Sequence, residues 1–448
     1  MSISATSKFS TAATTTGFDR KRLARVRMTV IGAQTIEWYD FFVYTTAAAL
    51  VFPTVFFSSS FSPAAATLSS FATVTVGFVA RPIGSVIFGH IGDRHGRRPA
   101  LLLALTVMAV GCLSIALLPG FSAIGMAAPI ALTLCRILQG LAIGGQWGGG
   151  VLLATENAPA HRKGLYGSLA QIGLPLGLIL ASAAFLVLLA ILDNESFTAI
   201  GWRIPFAVGA ILIILPIIGQ LRLRETAEYM RSKKVEPAKG PSPVLQVIRH
   251  HPGRIAVTAG MFIVVGATFY ILTTGMLAYG TQTLGFTRNM MLACVLIGAA
   301  AMTLSIVVAS HISDLVGRKP VFLTGAGLTA LWAFPMFSLI NSGSLLSAGV
   351  AIGVGMLFNG IMYGPSAVLF CESFPVEIRY SGVSLGYQLS SLLGAGFAPL
   401  IMTSLIAATG GTAGVSLYFI GLAVITIASV CLLRVPRRQP VREGGAVR

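Results

Sequence analysis

Long apolar runs fill the chain, and short basic clusters interrupt them. A membrane-spanning helix needs about 20 mostly apolar residues. The pattern predicts twelve such helices, over 28–50, 64–90, 100–118, 124–153, 165–191, 203–221, 255–279, 289–311, 320–340, 345–370, 382–408 and 412–433. Turn residues separate several of them, as at Pro119-Gly120, Asn341-Ser342-Gly343 and Gly410-Gly411. The runs do not alternate in the way strands of a membrane barrel would. The fold class expected is therefore all-α: a polytopic membrane protein with two six-helix bundles.

Composition sharpens this picture. Of 448 residues, 55% are hydrophobic and only 10% are charged, and the mean hydropathy is +0.84. A typical globular chain carries about 25% charged residues. No soluble core needs so much apolar surface, which excludes a soluble enzyme and a disordered chain. The five cysteines show no CxxC spacing and stand in apolar context, so neither a metal nor a disulfide role is expected. The six histidines fall mostly in or beside loops and suggest no metal site. The first apolar run begins near Met28 and is long enough to span, so no cleavable signal peptide is expected.

The net charge of +17 gives orientation, not nucleic-acid binding. With the N-terminus inside, 27 of the 31 Lys and Arg residues lie on the cytoplasmic side, which satisfies the positive-inside rule. Only Arg203 and Arg288 lie outside, and Arg81 and Arg136 fall within spans. Trp202, beside Arg203, reads as an interfacial anchor. The resulting organisation is a cytoplasmic N-tail (1–27), a first six-helix bundle (28–221), a cytoplasmic central loop (222–254), a second bundle (255–433) and a cytoplasmic C-tail (434–448).

An internal repeat supports two bundles. GHIGDRHGRRPALL follows the second run and HISDLVGRKPVFL follows the eighth; Asp93, Gly96, Arg97 and Pro99 align with Asp314, Gly317, Arg318 and Pro320 at an offset of 221. A second match aligns Arg162 and Gln171 with Arg379 and Gln388 at an offset of 217. Parallel six-helix repeats are one known transporter architecture.

These motifs resemble those of the major facilitator superfamily. GHIGDRHGRR is similar to its signature loop G-x3-D-R-x-G-R-[RK], and RILQG (Arg136 to Gly140) to its helix-4 motif R-x2-Q-G. IEWYDFF, FVARPIGSVIFGHIGDR, GGQWGG and GWRIPF together resemble the metabolite:proton symporter family, whose members include permeases for shikimate, 2-oxoglutarate, citrate, and proline or betaine. The likeness runs from helix 1 to helix 12 and is densest over 36–206; within the family it is greatest to shikimate permeases. It implies a bacterial inner-membrane transporter, driven by the proton gradient without a cofactor and sufficient as a monomer. Its partners would be protons, lipids and a small carboxylate or zwitterionic substrate. It also implies a gating latch in the loop residues Gly89, Asp93, Arg94, Gly96, Arg97 and Arg98 and in their second copy, Asp314 and Arg318. Gln146 departs from the family, which usually has Glu in GGEWGG.

Charges inside a bilayer are costly, at least ~2.5–3.5 kcal/mol on insertion scales, and mark function by default. Four stand out: Glu37, Asp40, Arg81 and Arg136. Glu37 and Asp40 are three apart and neighbours on one helix surface. A carboxylate can carry a proton when its surroundings change, and an Arg can grip a carboxylate with two parallel hydrogen bonds. Asp40 is the first proton-coupled acid expected, with Glu37 second. Arg136 is the first choice for the substrate carboxylate or for gating Asp40, and Arg81 is the other. Static ion pairs between helices are the plainer reading of the same four charges, and the sequence leaves both open. Tyr44, Gln139, Gln146, Trp147, Gln171, Tyr270, Tyr279, Asn359, Tyr363, Tyr387 and Gln388 could complete a pocket for a hydroxylated substrate, or simply pack helices.

The expected function is import of a small organic acid with protons. A proton-driven exporter or antiporter is an alternative, although GLPLG at Gly173 lacks the usual antiporter string GPxxGG. A non-transporting nutrient sensor is a further alternative. An enzyme is not expected, because no HExxH or Walker A sequence is present.

Overall fold

A computed structural model describes residues 18–58, 60–95, 97–144, 163–222, 247, 249–374 and 379–433. Among the described residues, twelve longer helical units follow in chain order, with short helical turns between some of them. In the first half these are α1 (Phe18–Leu50), α2 (Pro63–His95), α3 (Arg97–Leu117), α4 (Ala127–Gly144), α5 (Lys163–Gln171 and Gly173–Ile191) and α6 (Ile204–Leu212 and Ile214–Arg222). In the second they are α7 (Pro252–Tyr270, Ile271–Gly275 and Met276–Gln282), α8 (Arg288–Val316), α9 (Arg318–Ile340), α10 (Leu345–Glu372), α11 (Arg379–Ser390, Ser391–Gly396 and Ala398–Thr409) and α12 (Ala413–Leu432). Ten described segments are long and apolar enough to cross a membrane, and the shorter Leu102–Leu117 joins them. The remaining unit, α1, carries Glu37 and Asp40 inside its apolar stretch. The protein is a multi-pass helical membrane protein.

Local chemistry sets several boundaries. The Thr287 side chain caps α8 by accepting from Met290 N, and Ser344 caps α10 by accepting from Ser347 N. Gly317, at φ +100°, makes the abrupt turn from α8 to α9, where a side chain would strain the backbone.

The sequence repeat has a counterpart in packing. The pairs α2–α4, α1–α5 and α3–α6 in the first half match α8–α10, α7–α11 and α9–α12 in the second. The halves meet along two related seams, α5 on α8 and α10, and α2 on α11. Close glycine contacts bind α2 to α4: a Cβ on Gly84 would stand 2.0 Å from Leu141 O, and one on Gly144 would stand 2.0 Å from Arg81 O. Small residues let the two backbones touch, which brings the two intramembrane arginines side by side.

One expectation changes. Trp202 is no interfacial anchor. It is fully buried and packs edge-on against Phe52, Phe56 and Phe206. The Arg203 guanidinium lies 4.5 Å from its ring centroid and donates to the carbonyls of Ala116 and Leu118. A local aromatic cluster outcompetes the interface for the indole.

Candidate substrate and proton sites

α1, α2 and α4 bring the four intramembrane charges together, but in two separate arrangements. The first centres on Asp40. Gln139 Nε2 donates to Asp40 Oδ2 at 3.2 Å, and Arg136 Nη1 donates to Gln139 Oε1 at 3.3 Å. All three side chains are buried. Asp40 Oδ1 and Arg136 Nε and Nη2 have no hydrogen-bond partner among the described residues. The Arg136 guanidinium instead lies 4.0 Å from the Tyr44 ring centroid and 4.4 Å from that of Phe41, so the π faces compensate part of its charge. Gly77 makes room for it, since a Cβ there would stand 2.7 Å from Arg136 Nε. The Tyr44 hydroxyl donates to Thr73 Oγ1 at 2.6 Å.

The second arrangement centres on Arg81. Its guanidinium lies 4.1 Å from the Phe78 ring centroid and 4.5 Å from that of Phe41. Its Nε and Nη2 have no partner among the described residues. Glu37 is the acid that faces it electrostatically, and that carboxylate accepts from Gln34 Nε2 at 3.1 Å. The two neighbouring acids of α1 therefore serve different arginines.

Arg81 opens onto a small cavity between the two halves. Trp38, Phe262, Phe269, Tyr270, Asn359, Tyr363 and Tyr387 supply half of its lining residues, and Arg81 is the one charged lining residue among the described residues. The Tyr270 hydroxyl faces the same guanidinium. Asn359 Nδ2 donates to Val265 O at 3.0 Å, which leaves its Oδ1 unbonded. The wall mixes ring faces with a few polar tips, as small-molecule sites do. Of two stretches of π-helix, Ser391–Gly396 on α11 supplies Ser391 and Ala395 to the wall, and Ile271–Gly275 on α7 directly follows the lining residue Tyr270. Such wider turns re-aim side chains and recur at functional sites.

Other candidate residues fall elsewhere. Arg136, Gln139 and Tyr44 do not line the cavity. Gln171 bridges the halves, donating to Tyr363 O at 3.3 Å and to Ser366 Oγ at 3.1 Å. Its repeat partner Gln388 reaches Gly144 O at 3.5 Å, across the other seam. Tyr279 bonds Asn341 Oδ1 within the second half. Gln146, Trp147 and Gly96 lie outside the described residues, and the side chains of Asp93, Arg94, Arg97 and Arg98 are not described. Gly89 belongs to the last turns of α2. Phe41 and Phe78, which carry the guanidinium groups, are additions to the candidates. So are Trp38, Phe262 and Phe269; in sequence they are indistinguishable from ordinary apolar packing.

The halves are joined at both ends of the cavity. At the loop end, Asp314 accepts from Gly164 N at 3.0 Å and from Leu165 N at 3.1 Å. These amides open the first segment of α5, where the helix dipole favours an anion. Gly164 is required there, because a Cβ would stand 2.8 Å from Ser310 O. Arg318 holds Asp314 at 3.3 Å and Glu372 at 3.4 Å. At the other end Thr67 Oγ1 donates to Gln282 at 2.9 Å, and Arg288 Nη1 donates to Asn194 Oδ1 at 2.8 Å. Asp314→Asn removes the charge but keeps the shape. It is expected to raise opening at the loop end about fivefold, from the ~1 kcal/mol scale of such a charge at a helix terminus. The alkylation rate of a cysteine at Ser313, in a chain without its native cysteines, would report this, and an unchanged rate would remove the latch role.

Two six-helix halves enclosing a central cavity, closed at each end by contacts between them, define a membrane transporter. The chain belongs to the Major Facilitator Superfamily, whose family profile matches residues 40–386. It is 38% identical over 413 residues to the inner membrane metabolite transport protein YhjE of Escherichia coli (strain K12), covering 90% of this chain and 92% of that one. It is 35% identical over 422 residues to the shikimate transporter of the same strain, covering 93% and 96%. Among solved structures, a D-xylose-proton symporter matches with a TM-score of 0.72 at 18% identity, covering 92% of this chain and 97% of that one. At that identity the likeness speaks for the fold.

Proposed function

We propose that this transporter imports a small hydroxylated organic acid together with protons, by alternating access of its two halves across a bacterial inner membrane. The observation that carries the reading is Arg81: a cation with unbonded donors, and the one charge among the described residues on the wall of a cavity between the halves. One guanidinium suits one carboxylate. The Tyr270 hydroxyl and the Asn359 carbonyl suit substrate hydroxyls, and the ring faces suit a compact carbon skeleton. Among the described residues, no carboxylate lines the cavity to hold an ammonium head, and no second cation is there for a tricarboxylate. This favours a monoanion over betaine or citrate. The names of the shikimate transporter and of the proton symporter with the same fold support the same reading.

Asp40 is the proton carrier in this scheme. It is buried, bonded to a neutral amide, and has one free oxygen. Glu37 is the second acid, and it faces Arg81 electrostatically without an ion pair among the described residues. With the basic loops inside, the Asp314 contact closes the cytoplasmic end.

The test is external pH in lightly buffered, de-energised cells that express the protein. Shikimate, quinate, protocatechuate, 2-oxoglutarate, citrate, proline and betaine are added in turn. Alkalinisation with a hydroxylated monocarboxylate is expected, and none with betaine or citrate. No pH change with any compound, despite protein in the membrane, overturns proton symport of this class.

A further inference from the structure

Asp40 and Arg136 are bridged, not paired. No direct ion pair joins them among the described residues; the Gln139 amide stands between, with its donor end on the carboxylate and its acceptor end on the guanidinium. A carboxylate only accepts and a guanidinium only donates. The amide therefore has a single orientation that satisfies both. Arg136 then shares the Phe41 ring with Arg81: the two guanidinium carbons lie 4.4 and 4.5 Å from its centroid. Phe41 directly follows Asp40 in the chain. A continuous set of contacts thus runs from the buried acid, through an amide, a guanidinium and a ring, to the cation on the cavity wall.

We infer that Gln139 is the relay that couples the charge on Asp40 to the position of Arg136, and through Phe41 to Arg81. The inference rests on Asp40 as the proton carrier and Arg81 as the substrate cation. With Asp40 ionised, the bond from Gln139 is charge-assisted and about twice as strong as a neutral one. It fixes the amide, and the fixed carbonyl holds Arg136. A proton arriving at the free Oδ1 removes the charge, with no change in any bond to Gln139 beyond its strength. The amide loosens, and Arg136 keeps a buried charge that its former anion no longer offsets. Such a group must move toward new acceptors, and its movement disturbs the ring that Arg81 also uses. Gln139 is thus a positioning residue and not a substrate contact, consistent with its absence from the cavity wall. The groups that face the Asp40 carboxyl are Cys112 from α3, Arg136 from α4 and Tyr39 from α1 itself. Gly209 of α6 approaches Oδ1 with backbone alone. Arg81 of α2 and Tyr270 of α7 act on Arg136.

The experiment is a pH titration of tryptophan fluorescence in purified, lipid-reconstituted protein, where Trp38 stands two residues from Asp40. Wild type is expected to show a transition that Asp40→Asn abolishes. Gln139→Leu takes the donor from the ionised form and is expected to raise the midpoint by about one pH unit, a tenfold change in proton affinity. Gln139→Asn, which keeps the amide but shortens its reach, is expected to shift it in the same direction by less, and it serves if the leucine variant fails to fold. The double variant Asp40→Asn/Gln139→Leu is expected to match Asp40→Asn alone. A transition that survives Asp40→Asn defeats the assignment of Asp40, and the relay with it. A transition lost in Asp40→Asn but unmoved by both Gln139 substitutions defeats the relay alone.

Discussion

Replacing Asp40 by Asn is expected to abolish uphill accumulation while sparing exchange. The side chain keeps its shape, and its amide oxygen can still accept from Gln139 Nε2, now at 3.2 Å from the carboxylate oxygen. What disappears is the ability to gain and lose a proton. A carrier fixed in the neutral form can still cross between inward and outward states with substrate bound, so counterflow of labelled substrate in proteoliposomes should persist within several-fold. Accumulation driven by an imposed pH gradient should vanish. One proton per cycle makes each pH unit worth a tenfold ratio, about 1.4 kcal/mol, so a two-unit gradient gives a contrast of about a hundredfold between wild type and variant. Glu37→Gln is the matched control. If accumulation survives in Asp40→Asn and disappears in Glu37→Gln, the acid facing Arg81 is the carrier.

The sequence carried the helices, the repeat and the four intramembrane charges, because each is a matter of composition and spacing. Twenty apolar residues announce a span regardless of its neighbours, and a charge within one is conspicuous. The partners were not legible. Glu37 and Asp40 look like one acidic patch, three residues apart on α1, yet one faces Arg81 on α2 and the other reaches Gln139 on α4. Arg136 and Arg81 look interchangeable, yet only Arg81 reaches the cavity. That difference depends on the glycine contacts between α2 and α4, which set how the two helices face each other. Gln171 and Gln388 were legible as a repeated pair, but their place on the seams between the halves emerges only when α5 meets α10 and α11 meets α4. Trp202 misled for the opposite reason: its neighbour Arg203 suggested an interface, while Phe52, Phe56 and Phe206, distant in sequence, close over it.

Arg81→Gln is expected to cost more substrate affinity than any other single change in the cavity. Truncating one member of a buried charge pair typically costs about 2–5 kcal/mol, or roughly 30- to several-thousand-fold in Kd. The glutamine keeps hydrogen-bond capacity and nearly the same length, so the loss would report charge and fork geometry. Arg81→Lys separates those two. It retains the charge but gives up the planar group that rests on Phe41 and Phe78 and the two parallel donors that match a carboxylate. It should recover only part of the affinity, about tenfold weaker than wild type or worse, on the 1.4 kcal/mol-per-decade scale. Arg136→Gln provides the contrast. That residue is fully buried away from the cavity wall, bonded to Gln139 and resting on Tyr44. Its loss should alter the pH dependence of transport while leaving equilibrium binding of the carboxylate within a few-fold. Calorimetry on the three purified variants with the substrate found by the pH assay would decide the matter. Near-normal binding in Arg81→Gln together with a large loss in Arg136→Gln would exchange the two roles, and with them the place where the substrate carboxylate sits.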